Sequence, residues 1–204
     1  MNKIVEYFLL IVLLLTLSNC GDPNYYENKK MYSEIINLYP KSLVNHFPNY
    51  TYGNIMSLQL MYPRGKYMNG IFIVKRLSKK ETQNFQDSVK HIALYSLPFK
   101  ENLLPVSVKY IPLAYQNTLQ FVKTNKSSHK LIPIPGFEFV EETGLSHNFK
   151  SNAIIYVIGC EHGKFLKDDY LSDDNSIKIR EWSHGYSKGV VIYQKYVIFW
   201  LEVW

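Results

Sequence analysis

Two short stretches carry side chains whose types and spacing could do chemistry. Cys160-Glu161-His162-Gly163 sets a thiol two residues from an imidazole, with Asp168 and Asp169 a few positions on. A cysteine and a histidine at the end of a strand could share a metal with one of those aspartates, because zinc takes four nitrogen, sulfur or oxygen ligands. The spacings that usually pair zinc ligands, C-x-x-C and H-E-x-x-H, are absent from this stretch. Cys160 could also act as a nucleophile with His162 as its base, but strand residues two apart point alike and lie side by side, without the contact that activation requires. The simpler reading is a thiol at the end of a buried strand and a histidine in a loop.

The second stretch is Trp182-Ser183-His184-Gly185-Tyr186-Ser187. A hydrolytic triad needs a base touching its nucleophile and a third group orienting the base, which neighbours in sequence rarely supply. Gly185-Tyr186-Ser187-Lys188-Gly189 has the G-x-S-x-G spacing of a nucleophile elbow, with Ser187 in the nucleophile's place. An elbow leads from a strand into a helix. Here valines follow, so the segment is predicted to be a hairpin turn, and His184 and Ser187 stay as candidates for a hydrolase. Asp168-Asp169 and Asp173-Asp174-Asn175 form an acidic loop without the glycine and distant glutamate of an EF-hand. Glu141-Glu142 and Glu161 could supply paired carboxylates for sugar cleavage, but nothing in the sequence sets their separation. Phosphate-cradling and dinucleotide glycine patterns are missing. No metal and no cofactor are expected.

The elements that would position these residues belong to an α+β fold: a mostly antiparallel sheet with about two helices and the C-terminal hairpin at its centre. A helix is expected over about 25–39, where Met31, Ile35, Leu38 and Tyr39 share a face, ended by Pro40. Met56, Leu58, Leu60 and Tyr62 alternate as a half-buried strand. Pro63-Arg64-Gly65 and Asn69-Gly70 read as turns before a partner strand at Ile71 to Val74. Ser78 and Glu81 have the spacing of a capping box, followed by Phe85, Val89, Ile92 and Ala93 at helical intervals toward Leu97-Pro98. Leu119 to Val122 and Leu131 to Ile134 suggest a hairpin, with Pro133 and Pro135 placing its second strand at a sheet edge. Residues 99–118 give no clear pattern. Ala153 to Ile158 is a continuous apolar run and hence a buried strand.

Val190 to Tyr193 and Tyr196 to Trp204 are expected to pair through a tight Gln194-Lys195 connection. In the last strand Val197, Phe199, Leu201 and Val203 take one face, and Tyr196, Ile198, Trp200 and Trp204 the other. Glu202 is its one charge. Apolar residues on both faces imply an interior strand covered from both sides.

At the other end of the chain, Lys3 precedes a run from Tyr7 to Leu17 that is apolar save for Thr16. That run falls short of the roughly 20 apolar residues needed to span a bilayer and fits the core of a signal peptide. Leu17-Ser18-Asn19-Cys20 follows it and resembles the lipobox of bacterial lipoproteins; Asn19 departs from the small residue usual before the cysteine. The resemblance implies a signal peptide over 1–19, a single globular domain over 20–204, and a lipid anchor on the Cys20 sulfur with an acylated, palmitate-type amine. Gly21 rather than an acidic residue after Cys20 points, by the same resemblance, to the outer membrane of the cell envelope rather than the inner one. Asn24 and Glu27 resemble a helix cap close behind the anchor, so the domain is expected to sit near the bilayer.

Removing the first 19 residues takes away Lys3 and Glu6 together, so the net charge of +6 survives. A charge of this size is ordinary for solubility. Lys29-Lys30 and Lys79-Lys80 are isolated pairs and form no basic stripe for nucleic acid. With Cys20 acylated, Cys160 has no partner within the chain, so packing alone must stabilise the fold. The 17 tyrosines exceed what one core needs, and tyrosine favours contacts with other proteins.

The lipobox resemblance implies a membrane-anchored envelope lipoprotein. Its expected partners are lipid through Cys20 and another protein, and its expected role is that of a non-enzymatic binding or immunity-type module. The alternative is an envelope hydrolase or metal-dependent enzyme using the Cys160/His162 or His184 loops. Deleting residues 200–204 is expected to unfold the domain, and a truncated protein that stays soluble with an unchanged melting temperature would refute the interior placement of the last strand.

Overall fold

The computed structural model describes residues 25–50, 55–60, 69–99, 103–105, 119–123, 131–137, 152–171 and 180–204. The expected signal peptide and Cys20 lie outside these residues, as do Glu141-Glu142 and Asp173-Asp174-Asn175. In chain order the elements are helix α1 (Tyr25–Ile36), helix α2 (Lys41–Val44), strands β1 (Ile55–Leu60) and β2 (Asn69–Arg76), and helix α3 (Lys79–Ile92). Strands β3 (Tyr95–Pro98), β4 (Leu103–Pro105), β5 (Leu119–Lys123), β6 (Leu131–Pro135), β7 (Ile154–His162), β8 (Gly185–Tyr193) and β9 (Tyr196–Val203) follow.

Six strands form one antiparallel sheet in the order β1-β2-β9-β8-β7-β3, and β4-β5-β6 form a second, three-stranded antiparallel sheet. The fold is α+β as expected, and the β8–β9 hairpin is central in the larger sheet. Two apolar clusters lie on its two sides. Ile71, Ile73, Val190, Ile192, Val197, Phe199, Leu201 and Val203 meet Tyr32, Ile35, Tyr39, Leu43, Val44 and Val89 of the helical layer. Phe72, Val74, Ile155, Val157, Val191, Ile198 and Trp200 meet Ile132 and Ile134 of the small sheet. The alternation read in the last strand is therefore the actual division of its side chains between two layers.

Several local signals act as anticipated. Ser78 caps α3: the Glu81 amide donates to its Oγ at 3.3 Å, and its own amide donates to the Glu81 carboxylate at 2.8 Å. β5 and β6 pair, and the proline-bearing β6 is an edge strand. Gln194-Lys195 closes the central hairpin with Gln194 at φ 53°, a left-handed conformation suited to a two-residue turn.

Other boundaries differ for identifiable reasons. α1 stops at Ile36 rather than Tyr39, because Leu38 and Tyr39 bond three residues back, to Ile35 and Ile36, ahead of Pro40. This tighter turn rotates Leu38 outward and leaves Tyr39 buried. α3 stops at Ile92, and Tyr95–Pro98 pairs with β7 as a strand, so Ile92 is exposed rather than packed. Asn69-Gly70 begins β2 instead of turning, and Gly70 lies opposite Glu202. The four-residue α2 is an additional element.

The largest correction concerns Gly185 to Gly189, which form the first half of β8 and no turn. Gly189 lies opposite Trp200 in the register. A Cβ at Gly189 would overlap the Trp200 ring and the Tyr156 carbonyl, and one at Gly185 would press on the Trp204 and Trp182 rings. These glycines supply space for indoles in a continuous strand. Trp200 and Trp204 are fully buried; an aromatic of this size removes about 150–250 Å² from water, on the order of 4–6 kcal/mol each at about 25 cal/mol per Å². Gly189→Ala is expected to lower stability by about 1–3 kcal/mol or more through overpacking, read as a lower urea midpoint. An unchanged midpoint would show that the indole is free to move aside.

Candidate functional site

The candidate residues come together at the end of the sheet where β7, β8 and β9 run side by side. Val157 faces the small sheet, and regular alternation would turn Cys160 away from it. A bulge between Val157 and Gly159 inserts one residue and restores Cys160 to that face. Cys160 then lies opposite Ser187, and Ser187 lies opposite Glu202, giving a thiol, a hydroxyl and a carboxylate in one row across three strands. Glu202 was visible in the sequence only as the charge in an apolar strand. Its pairing with Ser187 depends on a register that composition does not reveal.

Ser187 is fully buried and committed. Its hydroxyl donates to the Pro133 carbonyl of β6 at 2.6 Å, and the Trp200 indole N–H donates to its Oγ at 3.4 Å. Through these two bonds the hydroxyl ties the two sheets together. The regular strand around Ser187 lacks the sharp strand-to-helix turn of an elbow.

His162 ends β7 opposite Gly185 and is exposed, with its ring edge-on to Trp182 at 6.1 Å. His184 is buried, and its Nδ1 is shut from solvent. Its carbonyl accepts from the Gly163 amide at 3.0 Å, which closes the end of the β7–β8 pair. Around them, the Trp204 indole N–H donates to the Trp182 carbonyl at 2.9 Å, and the two rings stand 6.1 Å apart. The histidines thus border an indole-lined plug. Asp168 is paired with Lys164 at 2.9 Å at the start of a short 3-10 turn, Asp168–Tyr170. Among the described residues no group of three His, Cys, Asp or Glu side chains is placed to hold a metal ion.

A second polar group, on the helical side, was not anticipated. Lys188 projects from β8 into the interior, where its ammonium donates to the Ser42 carbonyl and to Asn45 Oδ1, the latter at 3.0 Å. It therefore caps the carbonyl end of α2 with a positive charge, which the helix dipole favours. Burial pushes the Lys188 pKa down. Beside it, His46 Nε2 lies 2.9 Å from the Trp200 carbonyl. Burial drives the His46 imidazole down to about 4, and the Lys188 charge adds to this, while the Trp200 and Leu43 carbonyls pull it upward. In sequence, Lys188 looked like a turn residue. The signal that could have placed it is its alternation with Tyr186, Val190 and Ile192.

Comparisons with family models, with curated proteins and with solved structures found no match to this chain.

The depressed His46 pKa has a defined sign. The unfolded chain takes up this proton near pH 6.5 and the folded chain only near 4. The stability contributed by a neutral His46 is therefore complete above about pH 6.5 and falls away as the pH drops toward 4, by at most about 3 kcal/mol. Denaturant midpoints measured across that window are expected to fall in the parent protein and to fall less in His46→Gln; equal slopes would remove His46 from the acid response.

Proposed function

We propose that this chain is a lipid-anchored protein of the bacterial cell envelope, on the outer membrane in preference to the inner. It acts there by binding another protein and not by catalysis. The observation that carries the reading is Leu17-Ser18-Asn19-Cys20 behind a short apolar run. The use of the polar side chains supports it: Ser187 bonds a carbonyl, Lys188 caps a helix, and Trp182 and Trp204 bond each other beside His162 and His184. Among the described residues no helix is long and apolar enough to cross a membrane; in this reading attachment rests on Cys20, which lies outside them. Several acyl chains on one residue anchor durably where one does not, each buried methylene contributing roughly 0.8 kcal/mol. One concrete form of the role is an immunity-type protein that masks an incoming toxin at the periplasmic face.

Labelled palmitate is expected to enter the parent protein and not Cys20→Ser, and the variant is expected to leave the membrane fraction. Absent label together with unchanged fractionation would sink the anchor. Stoichiometric zinc in the purified protein, or a turnover lost in His184→Ala, would replace the binding role with that of an envelope hydrolase.

A further inference from the structure

The outer face of α1 combines an exposed aromatic with two lysines at one helical spacing. Tyr26, Lys29, Lys30 and Ser33 stand at i, i+3, i+4 and i+7, and all four are exposed. The opposite side carries the buried Tyr32 and Ile35. Tyr26 is 82% exposed, the most of the large exposed hydrophobics among the described residues. It is held in place from below: its ring meets Tyr25 edge-on at 5.4 Å, Tyr25 meets Tyr50 at 5.6 Å, and Tyr50 meets Tyr32 at 5.5 Å. Lys29 Nζ lies 5.9 Å over the Tyr25 ring. The acidic residues of the helix, Glu27 and Glu34, fall on the flank of this stripe, where Glu34 approaches Lys30 at 3.9 Å. The outermost line is thus aromatic and basic without a carboxylate.

Chain length says what can reach this face. Cys20 and Tyr25 are five positions apart, so even a fully extended connection spans only about 18 Å, at 3.3–3.6 Å per residue. A lipid on Cys20 therefore keeps the first turn of α1 within about 18 Å of the anchored sulfur, close enough to reach the headgroup layer. Tyrosine rings favour that layer, with the ring toward the acyl chains and the hydroxyl toward water. Lysines lay their stems along it and leave their ammonium groups at the lipid phosphates.

We propose that the Tyr26/Lys29/Lys30 face of α1 docks on an anionic phospholipid surface, which fixes the orientation of the domain on the membrane. This rests on the anchor reading above and adds a second, non-covalent contact to it.

The test uses the full-length protein carrying Tyr26→Trp, reconstituted in phosphatidylethanolamine/phosphatidylglycerol vesicles whose acyl chains are brominated near the headgroup. Palmitate incorporation is measured on the same sample. Trp182, Trp200 and Trp204 are buried, so the parent protein supplies a background insensitive to the lipid. The expected result is loss of the added indole emission on brominated lipid, with the emission regained when Lys29→Glu and Lys30→Glu are introduced or when phosphatidylglycerol is replaced by phosphatidylcholine. Palmitate present with no quenching overturns the docking face and leaves the anchor standing. Quenching without palmitate keeps the face and removes the anchor, and the loss of both overturns both. Shielding of the added indole in native envelopes but not in protein-free vesicles would assign the face to a protein partner and likewise overturn the proposal.

Discussion

The architecture depends on how the two central strands share volume. β9 carries Trp200 on the face toward the small sheet and leads into Trp204, and β8 offers Gly189 and Gly185 where those rings come to rest. An indole lying across a neighbouring strand is compatible with a flat ladder only where that strand has no Cβ. Because both pairs recur at the same spacing, the register of β8 against β9 is set twice, and a slip of one residue would drive each ring into a side chain and turn every apolar residue to the wrong layer. Trp200 then reaches Ser187, and Ser187 reaches Pro133 in the other sheet. The same seam that aligns the hairpin thus joins the layers.

The opposite face is held by different means. Most of its contacts are aliphatic and aromatic, but Lys188 gives the interface one directed interaction by binding the carbonyl end of α2. A four-residue helix has little stability of its own. Its position is borrowed from a strand that is itself fixed on both sides. His46 sits at the same junction with its ring against Phe47 at 4.3 Å and its Nε2 on the backbone of β9. The junction is polar and yet largely closed to water, which is why the imidazole there resists taking a charge.

What the sequence disclosed about this fold followed from period and caps. The two-faced apolar pattern of Tyr196 to Trp204 located the centre of the sheet, and Ser78 with Glu81 located the start of α3. What it concealed were interactions whose partners are distant in the chain. Gly185 to Gly189 resembled a turn because glycine in isolation means conformational freedom, and only the tryptophans of β9 convert that into a need for space. Cys160 and Ser187 were both singled out, but the bulge at Ile158 that puts them opposite one another leaves no compositional trace. Lys188 reads as a surface residue until α2 is seen to lie over it.

The topology also constrains how the molecule can be made. The strands at the middle of the large sheet, β8 and β9, come after all its other strands in the chain, and they insert between β2 and β7. Before they are synthesised, β1–β2 and β3–β7 each expose a strand edge with no proper neighbour, and the interior-facing residues of β2 and β7 have nothing to bury against. A nascent chain in that condition presents two sticky borders that can recruit each other or another molecule. The larger sheet can therefore be closed only once the β8–β9 hairpin is available to join its two half-sheets.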